Sequence, residues 1–212
     1  MHRTKDQNVC SRIVVYGCGG HARSIITALK RLQCNNILCV DPNGKENETI
    51  LGIPILREVN YLEDDGMIIA IGDNLQRESI YNNYRDKVQF ITVIAESSIV
   101  DDNVELGNGI FIGEHTYIGP ATKIGNNSII NTNAVIEHDV CVGRNSHIAP
   151  SVTICGKSII GNNCLIGAGT TIIDEVSVCD NVVVGAGGAI VHSIQESGVY
   201  IGVPVRKVKE LC

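Results

Sequence analysis

The sequence predicts an α/β, Rossmann-like half domain over residues 1–93, followed by a left-handed parallel β-helix over residues 94–212 that ends in a short C-terminal closing segment. Three observations predict it. An aliphatic residue recurs every six positions without a break from Ile94 to Ile190. Before that register begins, a short apolar run leads into a glycine turn and a stretch with helical spacing. The composition is 44% hydrophobic but only 4% aromatic, with no Trp, so the core is filled by Ile, Val, Ala, Thr and Cys and its interior is narrow.

The half domain opens with Ile13 to Tyr16, a compact apolar run that reads as a strand. It ends in Gly17-Cys18-Gly19-Gly20-His21-Ala22, after which Ile25, Ile26, Ala28, Leu29 and Leu32 follow helical spacing. The glycines match G-x-G-x-x-A, where absent side chains let backbone N–H groups and a helix N-terminus approach a phosphate. The same turn also serves simply to pack a helix closely on a sheet. His21 either touches a phosphate or caps the helix start. A second strand, Ile37 to Val40, delivers Asp41 about 20 residues beyond the turn, where an acid takes ribose hydroxyls. Met67 to Ile71 predicts a third strand ending in Gly72-Asp73-Asn74, then a helix near Leu75 to Tyr84 and a last strand at Phe90 to Val93. A dinucleotide normally spans two such halves, so this single half favours a mononucleotide or nucleotide-sugar over NAD.

From Ile94 the sixfold register takes over. Four residues after the aliphatic position stand small or β-branched residues, among them Thr116, Thr122, Ser128, Ala134, Val140, Ser146, Val152, Ser158, Cys164 and Thr170. A hexapeptide period marks a β-solenoid with three short sides per coil. Residues eighteen apart then stack in one column about 4.8 Å apart. The inward residues are core, so function must lie on the outward ones. The half domain is expected to cover one end of the prism, and the residues after Ile190 the other.

Among outward positions Glu137-His138-Asp139 and His147 stand out against Gly, Asn, Asp and Lys. An imidazole beside a carboxylate is the arrangement that orients a general base near neutral pH. Gly156 falls eighteen residues after His138, which leaves a slot beside the base and a backbone N–H for a developing oxyanion. His138 and His147 are half a coil apart and share a site only across a subunit interface, which predicts a homotrimer with sites between prisms. His115 and His192 read as plain surface residues. A zinc ion held between subunits by three histidines is the metal alternative, but two well-placed histidines paired with carboxylate suit a base better than a ligand set. No metal is expected.

Charge and cysteine usage exclude other classes. The formal net charge is −6, and Lys and Arg are scattered, which argues against a nucleic-acid partner. Nine cysteines include no C-x-x-C pair, and Cys141, Cys155, Cys164 and Cys179 fall inside the repeat, so they read as small hydrophobes in a reducing compartment. The first dozen residues are polar and no stretch is long enough to span a membrane, which predicts a cytoplasmic protein without a signal peptide.

Five segments together, GCGGHA at 17–22, VD at 40–41, NTNAVIEHD at 131–139, SHIAP at 146–150 and GVPVRKV at 202–208, resemble the bacterial hexapeptide-repeat sugar acetyltransferases. These are nucleotide-aminosugar N-acetyltransferases and sialic acid O-acetyltransferases that join a nucleotide-sugar domain to a β-helix. The resemblance implies an acetyl-CoA-dependent acyltransferase of surface glycan biosynthesis, with His138 as general base, Asp139 orienting it, and His147 near the acetyl carbonyl. It implies that Gly156, Gly167, Ala168, Gly185 and Ala186 line the pantetheine groove, and that Arg206 and Lys207 meet CoA phosphates. Gly17, Gly19, Gly20, His21, Asp41 and Gly72 would hold the nucleotide of the acceptor. Asn131 would lie near its sugar, or serve as a ladder asparagine that stabilises a turn. A second histidine at position 147 favours the N-acetylating branch over sialic acid O-acetylation. A non-catalytic trimeric scaffold that binds nucleotides, and a dehydrogenase, are the readings of other classes.

Overall fold

The computed structural model describes residues 12–210, so residues 1–11 of the polar leader, with Cys10, and Cys212 lie outside the described residues. The half domain is built from β1 (Arg12–Tyr16), α1 (Gly20–Arg31), β2 (Ile37–Val40), β3 (Thr49–Ile50), β4 (Ile53–Leu56), β5 (Asp65–Ile69), α2 (Asn74–Tyr84) and β6 (Gln89–Phe90). They form one sheet in the order β3-β4-β2-β1-β5-β6. Strands β4, β2, β1, β5 and β6 run parallel, and only the β3–β4 hairpin is antiparallel. The central strands read as unbroken apolar runs because both faces are covered. Helix α1 buries Ala22, Ile25, Ile26, Ala28 and Leu29, the three-and-four spacing seen in the sequence.

Three details differ from the sequence reading. The hairpin at 49–56 was not anticipated, because its strands of two and four residues carry only half-buried or exposed side chains apart from Ile50. The third strand starts and ends two residues earlier than expected, at Asp65 and Ile69. Asp65 is fully buried there and accepts from Arg12 Nε at 2.8 Å, a charge pair that hides a strand start from a hydrophobicity count. The run Phe90 to Val93 divides in two, with Gln89–Phe90 closing the sheet and Val93–Ile94 beginning the β-helix.

The β-helix has three parallel faces. The first holds the strands beginning at Val93, Phe111, Ile129, His147, Leu165 and Val182, the second those at Ile99, Tyr117, Val135, Thr153, Thr171 and Ala189, and the third those at Glu105, Lys123, Cys141, Ile159 and Ser177. Each strand pairs with the one eighteen residues on, as between Phe111 and Ile129. From Ile112 to Ile190 every inward aliphatic residue is buried, while Ile94, Val100 and Leu106 at the open first coil are partly buried. The small residues from Thr116 to Thr170 are all buried as well. From Leu106 to Val184, corners turn through a left-handed residue three positions after each inward aliphatic, including Asn127 at φ +59°, Asp139 at +59° and Asn145 at +57°. Asparagine tolerates this region better than most residues. At the third corner the column adds a side-chain ladder, Asn127 Nδ2 to Asn145 Oδ1 and Asn145 Nδ2 to Asn163 Oδ1, each 2.7 Å.

At the far end, residues Gly198–Gly202 and Val205–Lys209 form an antiparallel hairpin that extends the first face, and Ile194 and Val205 are buried beneath it. The seven described cysteines are free thiols, and burial pushes the Cys164 thiol up to about 11, in keeping with an inert packing role.

The half domain does not cover the end of the prism. It lies against the outside of the first face, because that face carries apolar outward residues. Phe111 and Ile129 join the half-domain core with Ile25, Ile26, Ile91 and Val93. Fully burying each such side chain stabilises the docking by about 1.5–3 kcal/mol. Polar contacts flank this apolar centre: Arg31 meets Glu114 at 2.6 Å at the first corner, and Arg144 meets Glu78 at 3.5 Å at the third.

Candidate active site

The described residues bring the predicted site residues into two groups that lie on opposite sides of the prism. The first group surrounds a cleft of about 540 Å³ at the C-terminal ends of β1, β2 and β5, lined by Gly17, Gly19, Gly20, His21, Asp41, Gly72, Asp73 and Gln76. This size suits a nucleotide. Gly17 sits at φ +90°, and a Cβ there would come within 2.6 Å of Ile71, so glycine is required. Gly19 and Gly20 face open space at the start of α1, where unpaired helix N–H groups favour an anion. Asp41 shapes the turn itself: Oδ2 accepts from the Cys18 N–H at 3.0 Å and Oδ1 from the Asn43 N–H at 2.9 Å.

His21 and His147 lie below this cleft, their ring centroids 6.2 Å apart. His21 packs edge-on against Phe111 and its Nε2 is buried without a partner. His147 bridges the two halves of the chain. Nδ1 is 3.2 Å from the Gly72 carbonyl, so that nitrogen carries the proton and donates. Nε2, 3.2 Å from Asn131 Nδ2, then accepts. Asn131 Oδ1 in turn accepts from the Thr132 N–H at 2.8 Å. Both ring nitrogens of His147 are therefore engaged inside one chain, a geometry that connects the nucleotide cleft to Asn131.

Burial drives the pKa of His147 down to about 4, with the Arg77 charge adding and the Gly72 hydrogen bond opposing. Burial likewise drives His21 down to about 3, helped by His147 and Arg77. Groups whose folded pKa lies below the unfolded value of about 6.5 take up protons more readily in the unfolded chain. Their contribution is intact above pH 6.5, declines as pH falls, and is lost by about pH 4 for His147 and about pH 3 for His21. Urea midpoints are expected to fall steadily between pH 7 and pH 5, with a loss of a few kcal/mol for each histidine on full protonation, at about 1.4 kcal/mol per pH unit. Asp65, held low by its hydrogen bond from Arg12, keeps its contribution until pH falls through the carboxylate range, so the early loss belongs to the histidines. A midpoint that stays flat to pH 5 would refute this.

The second group sits at the second corner, between the second and third faces. His138 Nδ1 lies 2.8 Å from Asp139 Oδ2, and both side chains are about half exposed. Nδ1–H donates to the carboxylate, which fixes the tautomer and leaves the Nε2 lone pair free to accept a proton. The imidazole lies over Gly156: a Cβ at that position would be 2.6 Å from Cε1 and 2.7 Å from Nε2. At the third corner the equivalent amides are taken by side chains, Arg144 N–H by Asn162 Oδ1 and Asn162 N–H by Asp180 Oδ1. The Gly156 N–H has no such partner among the described residues.

The other residues expected to line a pantetheine groove are elsewhere. Gly167, Ala168, Gly185 and Ala186 follow first-face strands and occupy the first corner, so within one chain they do not converge with Gly156. Lys207 is held by Glu196 at 3.0 Å and Glu210 at 2.8 Å, which raises its pKa and neutralises its charge. Arg206 instead lines a cavity of about 250 Å³ near the last coil, with His192, Tyr200 and Pro204. His192 belongs to the same eighteen-residue column as His138 and Gly156. No group of three or more His, Cys, Asp or Glu residues among the described ones could hold a metal ion, and no described helix is long and apolar enough to cross a membrane.

Comparison with known proteins gives two family matches, the PglD N-terminal domain over residues 12–84 and the bacterial transferase hexapeptide (six repeats) over residues 121–156. No curated protein matches by sequence. Among solved structures, the chain is similar to a perosamine N-acetyltransferase variant from Caulobacter crescentus in complex with CoA and GDP-perosamine, with 27% identity, a TM-score of 0.86, and coverage of 94% of this chain and 98% of that one. The acetyltransferase domain of PglB from Neisseria gonorrhoeae, in complex with acetyl coenzyme A, shares the fold at 22% identity and TM-score 0.86, over 94% of this chain and 100% of that one. WeeI from Acinetobacter baumannii shares it at 21% identity and TM-score 0.76, over 93% and 99%.

Proposed function

We propose that this chain, an acyltransferase of the hexapeptide-repeat sugar acetyltransferase family, transfers the acetyl group of acetyl-CoA to the amino group of a nucleotide-linked amino-dideoxy sugar, with His138 as general base. The observation that carries this reading is the His138–Asp139 pair stacked over Gly156. It combines an oriented base, a slot with no side chain, and a free amide at one point on the surface. The acceptor amine forms a C–N bond to the thioester carbonyl carbon while the C–S bond breaks. His138 Nε2 takes the proton that the amine loses, and the Gly156 N–H faces the carbonyl oxygen. The proton passes from His138 to the departing sulfur, so CoA leaves as a thiol and no covalent enzyme intermediate is needed.

The acceptor's nucleotide is read as occupying the cleft at Gly17, Gly19, Gly20, Asp41 and Gly72, its phosphates against the N-terminus of α1. The similarity to a perosamine N-acetyltransferase supports an amino sugar as acceptor. Arg206, rather than the doubly paired Lys207, is the cation available to a CoA phosphate. The cleft lies on the first face and His138 on the opposite corner. Six residues per side span at most about 20 Å, and the body of the prism stands between. The reading therefore requires a homotrimer in which one chain's cleft serves its neighbour's His138.

The test is to incubate the protein with acetyl-CoA and a panel of UDP-, GDP- and dTDP-linked amino sugars, with sialic acid as the O-acetyl arm, and to follow thiol release. Turnover with an amino sugar supports the reading. Turnover only with sialic acid replaces N- by O-acetylation, and binding of nucleotides without any turnover leaves a scaffold.

A further inference from the structure

We infer that Arg77 is a positioning residue that sets where the nucleotide cleft lies over the β-helix, an inference that rests on the transferase reading above. Arg77 is 1% exposed, and no carboxylate hydrogen-bonds to it. All five of its N–H groups donate to neutral oxygens. Nε reaches the Asn127 carbonyl at 2.9 Å, Nη1 the Ile71 and Gly72 carbonyls at 3.1 Å each, and Nη2 Asn74 Oδ1 at 2.8 Å and the Asn145 carbonyl at 2.9 Å. Burial pulls its pKa down to about 10, so it stays charged at neutral pH.

A buried charge costs several kcal/mol unless its hydrogen bonds are complete. Plain packing between two layers would be served by Leu or Met. What only a guanidinium supplies is a planar fork that holds four carbonyls from two bodies at once. Two of these, Ile71 and Gly72, belong to residues that line the cleft. The other two, Asn127 and Asn145, are successive rungs of the third corner. From the other side His147 donates to the same Gly72 carbonyl. The cleft is thereby pinned to two coils of the helix, and so to the first corner across which a bound acceptor must extend toward the neighbouring chain's base.

Reacting groups must be held about 3–3.5 Å apart, and a misplacement near 1 Å costs about 100-fold in rate. Lysine keeps the charge but cannot span both carbonyl pairs. In the full-length Arg77→Lys protein, kcat with the amino-sugar acceptor is expected to fall by roughly 30- to 100-fold. The KM for acetyl-CoA, and the Kd for GDP, UDP or dTDP measured by calorimetry, are expected to stay within about threefold of wild type, as is the pH profile. Arg77→Met, which leaves the Ile71, Asn127 and Asn145 carbonyls without the guanidinium and Gly72 with His147 alone, is expected to be the less stable of the two; if it does not fold, the lysine variant decides. An unchanged kcat in Arg77→Lys overturns the inference. So does a loss in which every parameter falls together with the folded fraction, because that is a stability effect alone. Wild-type protein that binds nucleotide but releases no thiol overturns the transferase reading itself, and this inference with it.

Discussion

Replacing His138 with Ala is expected to lower acetyl transfer by about 10²- to 10⁴-fold, the range of a positioned general base, while the assembly and nucleotide affinity stay as they are. The side chain is half exposed at a corner, its only hydrogen bond is to Asp139, and its removal opens no core cavity. Stability should therefore change by little, and any loss of rate belongs to chemistry. Asp139→Asn, which keeps the shape but removes the carboxylate that fixes the tautomer, is expected to give a smaller loss in the same direction. Gly156→Ala provides an independent check, since its Cβ would press within 2.7 Å of Nε2 and swing the ring from its place. Full activity in His138→Ala, measured as thiol release under saturating acetyl-CoA, would refute His138 as the general base.

Legibility of this molecule in its sequence follows from what has a period. The inward aliphatic ladder repeats every six residues, so the β-helix, its coil length and the stacking of Gly156 under His138 could all be counted. The glycine turn and Asp41 were legible because a tight backbone conformation at a strand end demands particular residue types. The docking of the half domain was not, although its signal was present: the outward residues of the first face, Val93, Phe111, Ile129 and Leu165, are apolar where those of the third face include Glu105 and Lys123. Separating the three columns before asking what covers them would have found it. Arg77 carries no such signal. Helix α2 is largely polar, and a guanidinium satisfied wholly by carbonyls has no partner residue type to look for. For His147 the sequence offered a functional residue type but not its hydrogen bonds to Gly72 and Asn131, which depend on the docking of the half domain.

Co-expressing two variants that are inactive alone is expected to restore activity to about a quarter of wild type, the statistical yield for sites that each draw a cleft from one chain and a base from the next. One parent is His138→Ala, whose clefts are intact. The other is Gly19→Glu, whose bases are intact. Gly19 has an ordinary extended backbone at φ −80° and ψ −160°, and a Cβ there meets nothing within 4 Å, so the fold tolerates the change. The new carboxylate stands at the helix N-terminus where the phosphates are to bind, and repels them. In the proposed homotrimer each parent then lacks one half of every site. When the two chains are co-expressed and assemble at random, half of all clefts are functional and half of all bases are functional, and a site works when both are. A single-chain site predicts no recovery at all, because each chain would carry its own defect. The placement of the half domain makes the choice between these outcomes sharp: it is docked on the face opposite the His138 corner, held there by Phe111 and Ile129 and by the Arg77 fork, so under the proposed reading an acceptor in its cleft reaches a base on another copy.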